Sequence, residues 1–279
     1  MSTPESPSPP RRGPRLLHVV GITDITPRMR RITLGGEELA GFPSGRQGSH
    51  VKVFVPRPGQ IKPELPTLGP AGPIWPSREV RPFTRTYTIR SFRADVGELD
   101  LDFVLHGDHG PASAWASKVQ LGDFLGIAGP GGRGPIPQDA EWYLFVGDET
   151  ALPAISAHLE TLPATSQGVA LIEVANAREE QTLAHPPGVQ INWLHRNGVA
   201  AGHSSLLIDA VRQLTWPAQS IFAFVAAEAK ATAAVRSYLR HECHLPRQQI
   251  HSIPYWKVGQ DEDAYHDERH KTMDRDEVD

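Results

Sequence analysis

The strongest constraint on the fold is a rhythm in the second half of the chain. Between residues 141 and 256, five short apolar runs (142–146, 169–174, 190–194, 221–226 and 249–253) alternate with three stretches of helical periodicity (151–162, 204–214 and 228–243). A strand that is apolar on both faces needs cover on both faces. Strands of that kind separated by helices build a parallel sheet with helices packed on each side. The pattern therefore predicts an α/β domain over residues 141–260, with a parallel sheet of roughly five strands.

Residues 16–134 follow a period of two instead. His50-Val51-Lys52-Val53-Phe54-Val55 alternates and stops at Pro56. Arg85-Thr86-Tyr87-Thr88-Ile89-Arg90 is rich in β-branched and aromatic residues, and Glu98-Leu99-Asp100-Leu101-Asp102-Phe103-Val104-Leu105 alternates charged and apolar side chains. Such segments are half-buried antiparallel strands. Residues 56–76, dense in proline and glycine, read as a long loop. The expectation is a small antiparallel β-barrel joined to the α/β domain through the Gly/Pro-rich stretch 129–140. A chain of 279 residues also favours two domains, at roughly 150 residues each. Residues 1–15 hold five prolines and read as a disordered lead-in. Residues 261–279 carry a net charge of −6 and read as a solvated acidic helix or a frayed end.

Composition removes several classes. A net charge of −4 argues against nucleic acid as a partner. No apolar run approaches the ~20 residues that span a bilayer. Arg11-Arg12 is followed by too short an apolar segment for an export signal, so a cytoplasmic protein is expected, and a monomer. A single cysteine, Cys243, excludes an internal disulfide framework and a Cys-ligated cluster. His241-Glu242-Cys243-His244 falls on a helix, where four consecutive side chains do not face one ion. His266 and His270 belong to the acidic tail and read as part of a solvated helix. No metal site is expected.

Three motifs carry chemistry. In Arg85-x-Tyr87-Thr88, Arg85 and Tyr87 share one face of a strand and Thr88 takes the other. A guanidinium grips a diphosphate through parallel hydrogen bonds, and a tyrosine two positions on can stack on a flavin or ribose. Alone, the motif equally describes an exposed strand. In His106-Gly107-Asp108-His109-Gly110-Pro111-Ala112-Ser113, a tight turn leads into a helix with proline in its favoured first position. The N–H groups of Ala112 and Ser113 then point outward at the positive end of that helix, a ready site for phosphate. A capped surface helix without a ligand fits as well. In Gly147-Asp148-Glu149-Thr150-Ala151-Leu152-Pro153, a helix begins at the carboxyl end of a parallel strand, where doubly wound sheets bind ligands. It is not a G-x-G-x-x-G fingerprint, and Asp148 and Glu149 would repel a phosphate set too close.

These segments, taken in order with His50-Val51-Lys52, Trp193-Leu194-His195-Arg196 and Tyr255-Trp256-Lys257-x-Gly259, resemble the siderophore-interacting protein family, a branch of the ferredoxin–NADP reductase superfamily. The resemblance covers residues 16 to 265. It implies that FAD is held by Arg85, Tyr87 and Thr88, with Thr88 near the isoalloxazine. It implies that His106, Asp108, Ala112 and Ser113 serve the FAD phosphates and ribityl chain. Gly147, Asp148, Thr150 and Glu228 would border the nicotinamide nucleotide, and Trp256 either covers a flavin face or packs the end of the sheet. A basic cluster of Lys52, Arg133 and Lys257 would receive an anionic ferric siderophore. Ala227 departs from the Ala-Gly-Glu usual in the family and adds a methyl group where backbone approaches the nucleotide.

The implied activity is reduction of a ferric siderophore by NADPH or NADH through FAD, with release of Fe(II) and no catalytic side chain. A flavin accepts a hydride and gives up electrons singly, which suits a one-electron metal. Hard oxygen donors hold Fe(III) better than Fe(II). Two alternatives stay open: a flavin reductase exchanging electrons with a ferredoxin-like protein, and a non-catalytic siderophore-binding flavoprotein. For the reductant, Glu173, 26 residues after Gly147, would bond a ribose 2′-hydroxyl, whereas Arg178 would receive a 2′-phosphate.

Overall fold

A computed structural model describes residues 13–70, 72–107, 110–132, 134–217, 220–260 and 265. Asp108, His109, Arg133, His266, His270 and nearly all of the acidic tail lie outside the described residues.

The first domain is one antiparallel sheet of β1 (Arg15–Thr26), β2 (Met29–Gly35), β3 (His50–Val55), β6 (Phe83–Thr88), β7 (Ser91–Arg93), β8 (Glu98–Val104) and β9 (Phe124–Gly131), in the order β6-β3-β9-β1-β2-β8-β7. Its two edges, β6 and β7, are consecutive pieces of one strand separated only by Ile89 and Arg90. At that junction the N–H of Arg90 donates to the carbonyl of Asp100 on β8, at 3.0 Å. A sheet whose two edges are the same stretch of chain has curled into a barrel. Leu17, Ile32, Val51, Val53, Leu99, Leu101, Phe103 and Ile127 fill it, and α1 (Pro111–Lys118) covers one end with Ala112 and Ala116.

The stretch 56–76 is not loop throughout. It contains a hairpin of β4 (Thr67–Gly69) and β5 (Gly72–Ile74), paired only with each other. Strands of three residues are too short to register as an alternating pattern.

The second domain is a five-stranded parallel sheet in the order β12-β11-β10-β13-β14. Its strands are β10 (Trp142–Gly147), β11 (Gln167–Val174), β12 (Gly188–His195), β13 (Ile221–Glu228) and β14 (Ile250–Trp256). Tyr143, Phe145, Ile172 and Phe224 face α2 (Leu152–Thr161). Leu144, Val146, Leu171 and Val225 face α3 (Leu206–Arg212) and α4 (Ala229–His241). Successive residues thus serve opposite layers, which is why each strand reads as a continuous apolar run. The order reverses between β10 and β13, so the ligand crevice of this topology opens at their carboxyl ends.

The barrel packs against the α2 side of the sheet. Met29 is buried within that core, with Ile25 and Val104 against it. The Glu179 carboxylate accepts hydrogen bonds from Thr26 Oγ1 at 2.6 Å and from the N–H of Arg28 at 3.1 Å.

Candidate functional site

On the barrel, the pairing of β3 with β6 sets Val53 opposite Arg85 and Val51 opposite Tyr87. Directly opposed residues share a face, so Arg85 and Tyr87 stand with the two buried valines. Lys52 opposes Thr86 and His50 opposes Thr88 on the other face, and Lys52 Nζ donates to Thr86 Oγ1 at 2.8 Å. Tyr87 packs on Phe103 with ring centroids 4.2 Å apart, and Phe103 on Trp115 at 5.8 Å. This aromatic chain brings the arginine–tyrosine strand and α1 to the same end of the barrel. Arg85 is half-buried and donates to the carbonyl of Thr84 at 2.7 Å; Thr88 is buried.

The turn into α1 is locked from inside. Ser113 Oγ accepts from the N–H of His106 at 3.0 Å and donates to the carbonyl of Gly107 at 2.9 Å. Gly107 takes a left-handed conformation, φ 86°. A side chain at Gly110 would come within 3.1 Å of the His106 ring. Among the described residues no side chain caps the start of α1. The first N–H groups of a helix have no partner within it, so this end presents donors over a glycine floor, on the helix that packs against the arginine–tyrosine strand. Those features fit a dinucleotide diphosphate, as FAD has. The Ser113 hydroxyl is spent on shaping the turn.

The crevice of the parallel sheet is different in kind. Gly147 ends β10 in tight packing, since a Cβ there would meet Ala151 Cβ at 2.7 Å and the Ala226 carbonyl at 2.9 Å. The next residue, Asp148, is buried and gathers four donors. Oδ1 accepts from the Thr150 N–H at 2.9 Å and hydroxyl at 2.5 Å. Oδ2 accepts from the Glu228 N–H at 3.0 Å and from Trp256 Nε1 at 2.8 Å. Burial pushes the Asp148 carboxyl up to about 6 against the pull of the Thr150 and Trp256 bonds, and neighbouring Glu149 adds to the rise. Glu228 caps α4, with Oε2 accepting from Lys230 N–H at 2.6 Å and Oε1 from Val258 N–H at 3.2 Å.

Beside this cluster lies a buried ion network. Arg196 donates to both oxygens of Glu149, at 2.8 and 2.6 Å, and to Glu173 at 3.3 Å. Ser204 donates to the other Glu173 oxygen at 2.5 Å. Burial, the largest single influence, lowers the Arg196 pKa, but the bonds and charges of Glu149 and Glu173 together outweigh it and the net shift is upward. Glu173 is therefore committed within the protein, and the sequence expectation that it would bond a ribose hydroxyl is corrected.

Over residues 18–134 the chain matches the family described as "Siderophore-interacting FAD-binding domain", and over 140–259 the one described as "Siderophore-interacting protein". The chain belongs to the siderophore-interacting protein family. Within the curated relatives, "Ferric vibriobactin reductase ViuB" of Vibrio cholerae is 43% identical over 263 residues, covering 94% of this chain and 96% of that one. "NADPH-dependent ferric-chelate reductase" of Escherichia coli is 35% identical over 247 residues, covering 87% and 92%. The solved siderophore-interacting protein SipS from Aeromonas hydrophila superposes with a TM-score of 0.81 at 39% identity, covering 94% and 98%. A ferredoxin reductase of carbazole 1,9a-dioxygenase reaches 0.62 at 14% identity and covers 90% and 70%, a likeness of fold.

In this family member the residues expected around the nucleotides fall into two groups. Arg85, Tyr87, Ala112 and Ser113 gather at one end of the barrel. Gly147, Asp148, Thr150, Glu228 and Trp256 gather at the carboxyl ends of β10, β13 and β14. His106 holds the turn between β8 and α1. Lys52 lies on the barrel face away from Arg85 and Tyr87, and Lys257 directly follows β14; both are half-buried. Arg133 lies outside the described residues. Sequence reading gave Glu149 no role beyond repelling a phosphate, and gave Arg196, Ser204, Glu179 and Thr26 none. The only signal for the first two was that each sits inside a family-like segment, since pairing across 47 residues leaves no local pattern.

Proposed function

We propose that this siderophore-interacting protein is an FAD-dependent ferric-siderophore reductase, taking electrons from a nicotinamide nucleotide and releasing Fe(II). The observation that carries the reading is the glycine-floored start of α1, uncapped among the described residues, on the helix that packs against the strand of Arg85 and Tyr87, in a chain whose first domain matches the family's FAD-binding domain. The names of the Vibrio and Escherichia relatives support the reaction class. Arg85 and the N–H groups of Ala112 and Ser113 hold the diphosphate, with Tyr87 and Thr88 on either face of the same strand. Bound FAD supplies hydride acceptance and single-electron release. Asp148 and Glu228 fix the strand ends and Trp256 at the nucleotide crevice. Lys52, Lys257 and Arg133 attract the anionic ferric siderophore, whose hard oxygens loosen once the iron is reduced. No side chain acts as nucleophile or general base. The protein works in the cytoplasm as a monomer.

The test is direct. Purified protein is yellow with the bands of bound FAD, and anaerobic NADPH, ferric siderophore and a ferrous trap yield trapped Fe(II). If NADPH and NADH give no Fe(II) but a reduced ferredoxin does, the electron donor is a protein and the nucleotide reading is wrong. Chelate binding without Fe(II) from any donor leaves a binding protein.

A further inference from the structure

At the carboxyl ends of the parallel strands almost every charge is already engaged. Asp148 holds Thr150, Glu228 and Trp256. Glu149 and Glu173 share Arg196. Glu179 is bonded to the barrel, and Glu180 lies 2.7 Å from His195 Nε2. The two helix starts at this crevice are closed as well. The Asp148 carbonyl takes the N–H groups of Ala151 and Leu152 that begin α2, at 3.0 and 3.2 Å. The Glu228 carboxylate takes those of Lys230 and Ala231 that begin α4. An anion arriving here must be met by side chains. Arg178 and Lys230 are exposed, and among the described residues neither side chain has a hydrogen-bond or ion-pair partner.

The two cations sit on opposite sides of the crevice. β11 and β13 flank β10, so their axes are about 10 Å apart. Lys230 lies beyond the end of β13. Arg178 lies four residues beyond the end of β11, in a short turn, Ala177–Glu179. That turn is fixed at both ends: the Asn176 side chain accepts the Arg178 N–H at 3.0 Å, and Glu179 is anchored on Thr26. The end of the second strand is where a dinucleotide fold reads the adenosine 2′ position. An acid there bonds a free hydroxyl, whereas a guanidinium takes a phosphate through parallel hydrogen bonds. Here the acid, Glu173, is withdrawn into the ion network and the guanidinium stands in solvent.

We infer that Arg178 is the specificity-determining residue for the reductant, selecting a nicotinamide nucleotide with a 2′-phosphate over one with a free 2′-hydroxyl. The inference rests on the reading that a nicotinamide nucleotide reduces the bound flavin.

The experiment compares calorimetric binding of adenosine 2′,5′-bisphosphate and adenosine 5′-phosphate to the FAD-loaded protein, two probes that differ by one phosphate. The intact protein should bind the bisphosphate at least about tenfold tighter, the value of one charge-assisted contact. Arg178→Ala should bring the ratio near one without weakening the monophosphate, and Arg178→Lys should keep part of it. A ratio that survives Arg178→Ala, or that collapses only in Lys230→Ala, overturns the inference. So does equal binding, or no binding, of both probes by the intact protein. Colourless protein, or yellow protein that makes no Fe(II) from a ferric siderophore once dithionite has reduced it, strikes the parent reading instead, because neither step involves Arg178.

Discussion

A carboxyl group that accepts four hydrogen bonds ordinarily titrates low, yet Asp148 sits near 6. Burial costs the charged form more than the donors return. The sign of the pH effect follows. A folded-state pKa above the unfolded value of 3.8 means that stability is fullest below 3.8 and is lost as pH rises through 6. The shift corresponds to about 3 kcal/mol, an order-of-magnitude figure. Asp148→Asn removes that titration and also turns an amide donor toward donors, at a constant cost of roughly 1–3 kcal/mol. Denaturant unfolding should therefore find the variant much weaker than the intact protein at pH 4, with the gap closing by pH 7. A gap that stays level across that range would show that Asp148 does not titrate as its burial dictates.

At the scale of elements, packing explains what was legible. The five parallel strands announced themselves because each is apolar on both faces, β3 and β8 because they alternate, and β6 through its β-branched and aromatic residues. Pro111 and its glycines marked the start of α1. The charged interior did not announce itself. Arg196 meets Glu149 and Glu173 across 47 and 23 residues, and Glu173 looked like a ribose ligand because its distance along the chain fitted that role while its partner was invisible. The three-residue strands β4 and β5 were too short to carry a period. The junction of β10 with α2 tests the packing argument. Gly147 has an ordinary backbone but no space, with Ala151 Cβ, Ile155 Cδ1 and the Ala226 carbonyl all within 2.9 Å of a would-be Cβ. Gly147→Ala should cost about 1–3 kcal/mol through overpacking, read from the denaturant midpoint. A neutral result would mean that α2 can slide away from the sheet.

At the scale of the whole molecule, the question is what holds the barrel's diphosphate site and the crevice of the parallel sheet at a fixed separation. Glu179 with Thr26 and Arg28, and Arg90 with Glu160, link the domains, and the two links differ in burial. Glu179 is 4% exposed and Thr26 8%, so the bonds from the Thr26 hydroxyl and the Arg28 N–H are shielded from water. The Arg90–Glu160 pair, at 3.0 Å from Nη1 to Oε2, has its carboxylate side chain 37% exposed. A shielded bond whose acceptor is deleted leaves its donors unsatisfied, at about 1–3 kcal/mol for each. A surface pair is worth about 0–1 kcal/mol. Glu179→Ala should therefore loosen the interface far more than Glu160→Ala. In scanning calorimetry the first variant should lower the midpoint and separate the barrel and α/β transitions, while the second leaves a single transition near that of the intact protein. Flavin content at room temperature should be the same in both, because Arg85, Tyr87 and the start of α1 belong to the barrel alone. If Glu160→Ala proves as costly as Glu179→Ala, burial is not what makes this interface rigid, and the apolar contact around Met29 must carry the coupling instead.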